Sequence, residues 1–460
     1  METIAAISTA MGNGGIGIIR MSGKESFSIL EKIFVNAKGE KLNIEKIKGY
    51  TIQYGYIINS QTKEKIDEVL VSFFINPKSY TRENMCEINS HGGVIVEKLI
   101  LEQCLRNGAT LAEPGEFTKR AFLNGRIDLS QAESIMDIIN SKSEKEAKAS
   151  MNQLQGILSK KIKEIQHDLL DMMADIEAQI DYPEYDFDEL NNNNIIDKLE
   201  KEKVKLIKLE ESFENGKILK EGIKTAIIGK PNAGKSSLLN TILKEERAIV
   251  SDIEGTTRDT IEELITINGI PLKIIDTAGI RKTSDKIEEI GVKKALKVLD
   301  DAELILAIFD NTKELTNEDF EILELIKDKK AIILLNKIDI ADKKLEERQE
   351  FIDTNKKIIK ISAQLGNGIE ELYKEIELLF NIKEINSENE TIITNIRHKN
   401  QIRAAIEDIN KAIESVKLNL PIDIISINIV ECLNDLGKIT GENVTEDIIN
   451  QIFSKFCLGK

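Results

Sequence analysis

Lys224-Thr-Ala-Ile-Ile-Gly-Lys-Pro-Asn-Ala-Gly-Lys-Ser-Ser-Leu-Leu239 is the stretch on which the fold turns. An apolar run breaks into Gly-x4-Gly-Lys-Ser and resumes as an apolar helix start. Glycines at 229 and 234 let backbone N–H groups wrap phosphates at a helix N-terminus. Lys235 reaches the terminal phosphates, and Ser236 is placed to ligate magnesium. The order strand, loop, helix predicts a phosphate-binding α/β domain.

Downstream motifs narrow the nucleotide. Gly255-Thr-Thr-Arg-Asp259 reads as a switch-type loop in which Thr257 adds a second magnesium ligand. Asn268-Gly269 predicts a hairpin turn. The second strand of that hairpin ends in Asp276-Thr277-Ala278-Gly279, with the Asp near the magnesium and a Gly N–H facing the γ-phosphate. Another apolar strand delivers Asn336-Lys337-Ile338-Asp339. The Asp339 carboxylate can accept both N–H groups on guanine's pyrimidine edge, which adenine does not offer. Ser362-Ala363 completes the base pocket. Together these predict GTP binding and hydrolysis. Where many GTPases carry a water-orienting Gln after Asp-x-x-Gly, this chain has Ile280, which cannot hydrogen-bond water. Catalytic help must then come from further along, where Arg281, Asp285, Glu288 and Glu289 are available.

Around this core the 460 residues predict a multidomain α+β protein. An N-terminal α+β domain is expected over residues 1–119, with strands at Ile16–Ile19 and Val69–Phe74 and a helix from Gly93. A helical domain follows over 120–216, opened by Ser130-x-x-Glu133 as a capping box and running almost unbroken to Ile180. The α/β GTPase domain occupies 217–382, and helices resume over 383–460, with Thr445 as the last N-cap. An inserted α/β domain interrupting one helical domain is the simplest arrangement; two separate helical domains stay open. An acidic loop lies at Asp181–Glu189.

The formal charge of −16 argues against an electrostatic grip on nucleic acid by the chain as a whole, so any RNA role needs a local patch or a basic partner. Four cysteines without a Cys-x-x-Cys pair suit a reducing cytosol, and the expected location is cytoplasmic. No apolar run is long enough for a transmembrane helix, so no membrane role is expected.

Gly-Lys-Pro-Asn-Ala-Gly-Lys-Ser-Ser, Gly-Thr-Thr-Arg-Asp and Asp-Thr-Ala-Gly-Ile-Arg resemble the tRNA modification GTPases of the MnmE (TrmE) type. So do Gly14–Arg20, Pro114–Phe117 with Arg126–Glu133, and the terminus Phe456-Cys-Leu-Gly-Lys460. The resemblance covers essentially the whole chain. It implies a homodimer that joins a flavoprotein of the MnmG (GidA) type in a heterotetramer and modifies carbon 5 of the wobble uridine of certain tRNAs. It implies GTPase domains that dimerise around potassium. Asn232, Ser251, Ile253 and Thr256 would hold the potassium, and Glu288 would orient the water. The implied nucleotide contacts are Asn232, Ala233, Gly234, Lys235, Ser236 and Ser237, then Ser251, Asp252, Ile253, Glu254, Gly255, Thr256 and Thr257. Asp276, Thr277, Ala278, Gly279, Asn336, Lys337, Asp339, Ser362 and Ala363 complete them. A 5-formyltetrahydrofolate-type folate would meet Arg20, Glu87, Arg126 and Lys460. Departures from the family pattern are Asn13, Arg82, Asn84 and Ser251.

Some features carry plainer readings. Gly12-x-Gly-x-x-Gly17 matches a dinucleotide fingerprint by letter, but a strand and a turn follow it rather than a helix. His91 is read as structural, and His167 and His398 as exposed helix-face residues. Cys457 is at least as readily a packed thiol beside Phe456 as a nucleophile. Two function classes share the nucleotide motifs: an enzyme of tRNA modification and an assembly GTPase that uses GTP as a timer. The folate-type N-terminal region and the terminal Cys-Leu-Gly-Lys favour the first.

Overall fold

The computed structural model describes residues 1–181, 192–245, 262–275, 299–340, 344–380 and 391–460. The chain divides into two compact units, one of residues 1–136, 153–199 and 407–460, the other of 137–152 and 200–406.

The first unit begins with strands β1 (Ile4–Ile7) and β2 (Gly17–Ser22), helix α1 (Ser26–Ile33) and strands β3 (Phe34–Asn36), β4 (Thr51–Ile58), β5 (Lys65–Phe74) and β6 (Met85–Ser90). Helix α2 (Val94–Arg106) and strand β7 (Thr110–Leu111) complete the set. The seven strands lie in the order β3-β4-β5-β6-β2-β1-β7. Every pairing is antiparallel except β1 with β7. In β5, Val69, Val71 and Phe73 are buried while Leu70 is exposed, the period-2 alternation of a sheet with one covered face. The inward residues pack with Leu30, Ile33, Ile100 and Cys104 of the two helices. The strand predicted at 16–19 starts at Gly17. No helix follows it before Ser26, so the glycine-rich loop is not a dinucleotide turn.

Helices α3 (Glu116–Leu123), α4 (Leu129–Ile139), α5 (Glu144–Leu154), α6 (Ile157–Asp181) and α7 (Asn192–Glu221) follow. The helical run expected to continue almost unbroken is therefore interrupted; Gly156, with φ +84°, makes one of the breaks. The capping box stands two residues earlier than Ser130–Glu133 predicted. Asp128 Oδ1 accepts the Gln131 N–H at 2.9 Å, and Gln131 Oε1 accepts the Asp128 N–H at 3.0 Å. Asp and Gln satisfy the same reciprocal geometry as Ser and Glu, and the helix starts at Leu129.

The second unit holds a six-stranded sheet. Its elements are β8 (Ile223–Ile228), α8 (Lys235–Glu245), β9 (Glu262–Ile267), β10 (Ile270–Ile275), β11 (Leu304–Asp310), α9 (Asn317–Ile326), β12 (Ala331–Asn336), β13 (Lys357–Ile361) and α10 (Ile369–Leu379). The order is β13-β12-β11-β8-β10-β9, parallel except for the β9–β10 hairpin. The hairpin turn is Asn268-Gly269 as expected, both with positive φ. Strands β11 and β12 are buried along their whole length, which is why they read as unbroken apolar runs. From β8 the chain goes one way to β10 and β9 and the other way to β11, so the carboxyl end of β8 is a topological switch point. Such points are where open α/β sheets bind ligands.

Helices α11 (Ile396–Lys417), α12 (Ile422–Thr440) and α13 (Glu446–Phe453) complete the chain. Helix α12 packs along α6 within the first unit. Thr445 stands at the N-cap of α13 in extended conformation, with Glu446 and Asp447 in the first turn. His398 corrects its sequence reading: it is fully buried, at 0% exposure, with Nε2 3.0 Å from Arg397. His167 is exposed as expected. The C-terminal residues close on the N-terminal sheet of the same unit. Ser8 Oγ donates to the Gly459 carbonyl at 3.1 Å, and the Gly115 N–H donates to the Cys457 carbonyl at 3.3 Å. Gly115 has φ +70°, and a Cβ there would lie 2.6 Å from the Phe453 carbonyl, so no larger residue fits.

Candidate functional sites

The phosphate loop leaves β8 and enters α8, so that Lys235 and Ser236 are the helix's first residues and its free N–H groups point toward the loop. Gly229 (φ +152°), Asn232 (φ +64°) and Gly234 (φ +111°) give the loop its curl. Lys235 Nζ donates to the carbonyls of Gly229 and Lys230, which holds the ammonium over the loop. Lys230 itself is anchored on α9: its Nζ meets Asp319 and donates to Thr316 Oγ1 at 2.9 Å, the two residues of that helix's capping box.

Asn336, at the carboxyl end of β12, joins three segments. Its Nδ2 donates to the Ala233 carbonyl at 2.8 Å, and its Oδ1 accepts the Ala363 N–H at 2.9 Å. A Cβ at Gly234 would lie 2.0 Å from Asn336 Nδ2, so glycine is required for this approach as well as for its φ. Lys337 (φ +70°) turns its Nζ to Asp310 Oδ2 at 2.7 Å. Burial pushes the Asp310 carboxyl up, but its bonds from Lys337 and Thr312 outweigh that and hold it below the usual range.

The result is a cavity of about 330 Å³ with phosphate-loop residues on one side and Asn336, Asp339 and Ala363 on the other. Asn232, Gly234, Lys235, Ser236, Ser237 and Lys337 also line it, whereas Ala233 and Ser362 are buried behind it. A loop of N–H donors and a cation faces a carboxylate at the far end. That polarity suits a nucleoside polyphosphate, phosphates toward the loop and base toward Asp339. The expected residues Ser251 through Thr257, Asp276 through Gly279, and Glu288 lie outside the described residues, as do Ile280, Arg281, Asp285 and Glu289.

A second group sits on the N-terminal sheet. Arg20 and Glu87 stand directly opposite in the β2–β6 register. Arg20 Nε and Nη2 both reach Glu87 Oε1, at 2.9 and 2.8 Å, and Nη1 donates to the Gly459 carbonyl at 3.2 Å. Lys460 joins them; burial, and after it the Arg20 charge, hold its ammonium pKa below the usual lysine value. Arg126 stacks over Tyr80 at 4.5 Å, and Arg20 lies 5.3 Å from the same ring. Tyr80 carries no assignment from the sequence; an aromatic ring close to two candidate cations is the signal that would have found it. Arg82, with φ +56°, donates to the Asn124 carbonyl at 2.9 Å. Asn84 Oδ1 accepts the Asn76 N–H at 3.1 Å, so both departures have structural partners.

His91 is held by Asp67, its Nδ1 at 2.7 Å and its N–H at 2.8 Å from the carboxylate; the hydrogen bond raises the imidazole pKa. Cys457 is exposed rather than packed, while Cys86, Cys104 and Cys432 are buried. No cluster of three metal-ligating side chains occurs among the described residues, and no described helix is long and apolar enough to cross a membrane.

Comparison with known proteins covers the whole chain. Residues 3–126 match the family described as the GTP-binding protein TrmE N-terminus, and residues 129–457 match the MnmE helical domain. The protein named tRNA modification GTPase MnmE in Acetivibrio thermocellus is 51% identical over 459 residues, covering 100% of this chain and 99% of that one. Proteins of the same name are 45% identical in Alkaliphilus metalliredigens and 46% identical in Alkaliphilus oremlandii, each with 100% of this chain and 99% of the other covered.

Proposed function

Because the chain belongs to the MnmE family of tRNA modification GTPases, we propose that it hydrolyses GTP to drive modification of carbon 5 of the wobble uridine in certain tRNAs. It does so as a homodimer, in a heterotetramer with a flavoprotein of the MnmG (GidA) type, in the cytoplasm. The observation that carries the reading is the cavity in which a phosphate loop, Asn336 and Asp339 converge.

In that cavity the loop N–H groups and Lys235 hold the phosphates, Asp339 selects guanine, and Ser237 with Ala363 lines the pocket. Magnesium and potassium, when bound, supply positive charge to the transferring phosphoryl group. Ser236, second in α8 and exposed, suits magnesium together with Thr257. Asn232, exposed at the loop's positive-φ position, suits potassium together with Ser251, Ile253 and Thr256. Glu288 orients the attacking water, since Ile280 cannot. Removing one such interaction commonly costs about 10²–10³ in rate. The Glu288→Ala protein should therefore keep GTP affinity within a few-fold and lose that factor in kcat, and wild type should turn over faster in potassium than in sodium. Equal rates in the two salts would remove potassium from the mechanism.

Arg20, Glu87, Arg126 and Lys460 form the folate site. Three cations against one carboxylate suit a ligand with a dicarboxylate tail, and Glu87 suits a pterin edge. The tRNA reading is tested by mass spectrometry of wobble uridines from a strain lacking this protein. Carbon 5 should be unmodified, and an unchanged nucleoside profile would overturn the assignment.

A further inference from the structure

The N-terminal domain carries a concavity of about 640 Å³ lined by Lys32, Lys41, Lys63 and Arg106, together with Ser60 and Asn107; its lining holds no carboxylate. This is unusual for a chain with 79 acidic against 63 basic residues. The four cations are scattered over the sequence and gathered by packing. Lys32 lies in the last turn of α1, Lys41 follows β3, Lys63 sits at positive φ in the β4–β5 turn, and Arg106 ends α2. The floor is fixed by two side-chain amides, one of them buried. Gln103, at 2% exposure, accepts the Ser60 N–H at 3.0 Å, and Asn107 Nδ2 donates to Ser60 Oγ at 3.1 Å.

Of the nearby acids, Glu40 accepts from Asn36 and Glu64 from Thr62, while Glu102 pairs with Arg106 and offsets its charge, so that Lys32, Lys41 and Lys63 carry the positive field of the concavity. The opposing effect is the carboxyl end of α2, worth about half a negative charge. Lys32 Nζ, 3.4 Å from the Asn107 carbonyl, offsets part of it, and the remaining lysines outweigh the rest. Across residues 31–66 seven lysines stand against four glutamates and no aspartate.

We propose that this concavity holds the phosphate backbone of the tRNA on which the protein acts. A water takes about 30 Å³ in the liquid, so the space exceeds what one phosphate needs. A chain of net charge −16 needs a local basic patch or a basic partner to meet RNA, and this concavity is such a patch. The inference rests on the reading that tRNA is the substrate.

The test is fluorescence anisotropy of unmodified tRNA with the full-length protein, across a potassium chloride series. The variants are K32Q/K41Q/K63Q and a charge-matched control at exposed helical lysines, K160Q/K163Q/K208Q. Removing three lysine–phosphate ion pairs should lower the slope of log affinity against log salt by about 2–3 and weaken binding at least tenfold at about 0.1 M salt. GTP hydrolysis and the circular-dichroism melting profile should both be unchanged in the first variant, the second of these showing that the N-terminal domain folds. The proposal is overturned by an unaltered slope and affinity, by an equal loss in the control, or by no tRNA binding to wild type. A calorimetric titration with inorganic phosphate separates the sources. Phosphate binding lost in the variant, with tRNA binding intact, would make this a small-anion site and overturn the proposal. Unmodified wobble uridine in the deletion strain, with normal tRNA binding by the variant, would refute this inference alone; modified uridine there would refute the substrate reading.

Discussion

Replacing Asn336 by Ala tests how the nucleotide cavity is held together. The side chain makes two buried hydrogen bonds, to the Ala233 carbonyl at 2.8 Å and from the Ala363 N–H at 2.9 Å. Ala233 and Ala363 are each 2% exposed, so water cannot readily replace the missing partner. An orphaned buried donor or acceptor costs about 1–3 kcal/mol. The substitution should therefore cost roughly 2–6 kcal/mol, twice that figure for two orphaned groups. At about 2–4 °C per kcal/mol for a domain of this size, the GTPase domain's melting transition should fall by at least about 4 °C. The same bonds hold the phosphate loop against the base-pocket loop. If about 2 kcal/mol of that cost falls on the GTP-binding conformation, Kd rises by about 30-fold. Calorimetric melting and a fluorescent GTP analogue measure the two quantities. Asn336→Asp isolates one bond: its carboxylate still accepts from Ala363 but offers no donor to Ala233. Lowering the pH should narrow its deficit, because a protonated carboxyl donates again. An Asn336→Ala protein whose melting and GTP affinity match those of wild type would refute the reasoning.

Thiol labelling of the native protein should modify one cysteine quickly, Cys457. Burial raises the Cys86 and Cys432 thiols and pushes Cys104 up to about 12, so rapid reaction of a second cysteine would contradict the packing. His91 should titrate above the ordinary histidine value by NMR, and Asp67→Asn should bring its midpoint down. The stabilisation from this pair is complete below the ordinary histidine pKa and is lost as pH rises through the raised folded value. A midpoint indifferent to Asp67→Asn would exclude the pairing. Asp339→Asn should weaken GTP and strengthen xanthosine triphosphate binding, read by competition; unaltered GTP affinity would remove Asp339 from the base pocket.

The sequence by itself determined what rests on covalent neighbours. The phosphate loop is one contiguous segment, so its spacing specifies both chemistry and local shape. The Asn268-Gly269 turn is equally local, since two residues tolerant of positive φ sit between two apolar runs. The buried strands β11 and β12 were legible because a sheet covered on both faces leaves no polar alternation. Tertiary structure decided what depends on register, burial and helix phase. Asn336 bonds residues 233 and 363, far off in the chain, and only strand order brings these together. Arg20 faces Glu87 because β2 pairs with β6 in one register, and a shift of one residue would turn each side chain to the other face. His398 looked like an exposed helix residue because its neighbours are polar, yet it is buried. The capping box moved from Ser130 to Asp128 because Asp and Gln close the same ring as Ser and Glu, and the Ser130 hydroxyl donates to Asp128 Oδ1 instead. Lys32, Lys41, Lys63 and Arg106 share no motif; only the folded N-terminal domain brings them to one concavity, where the fields of the three lysines add.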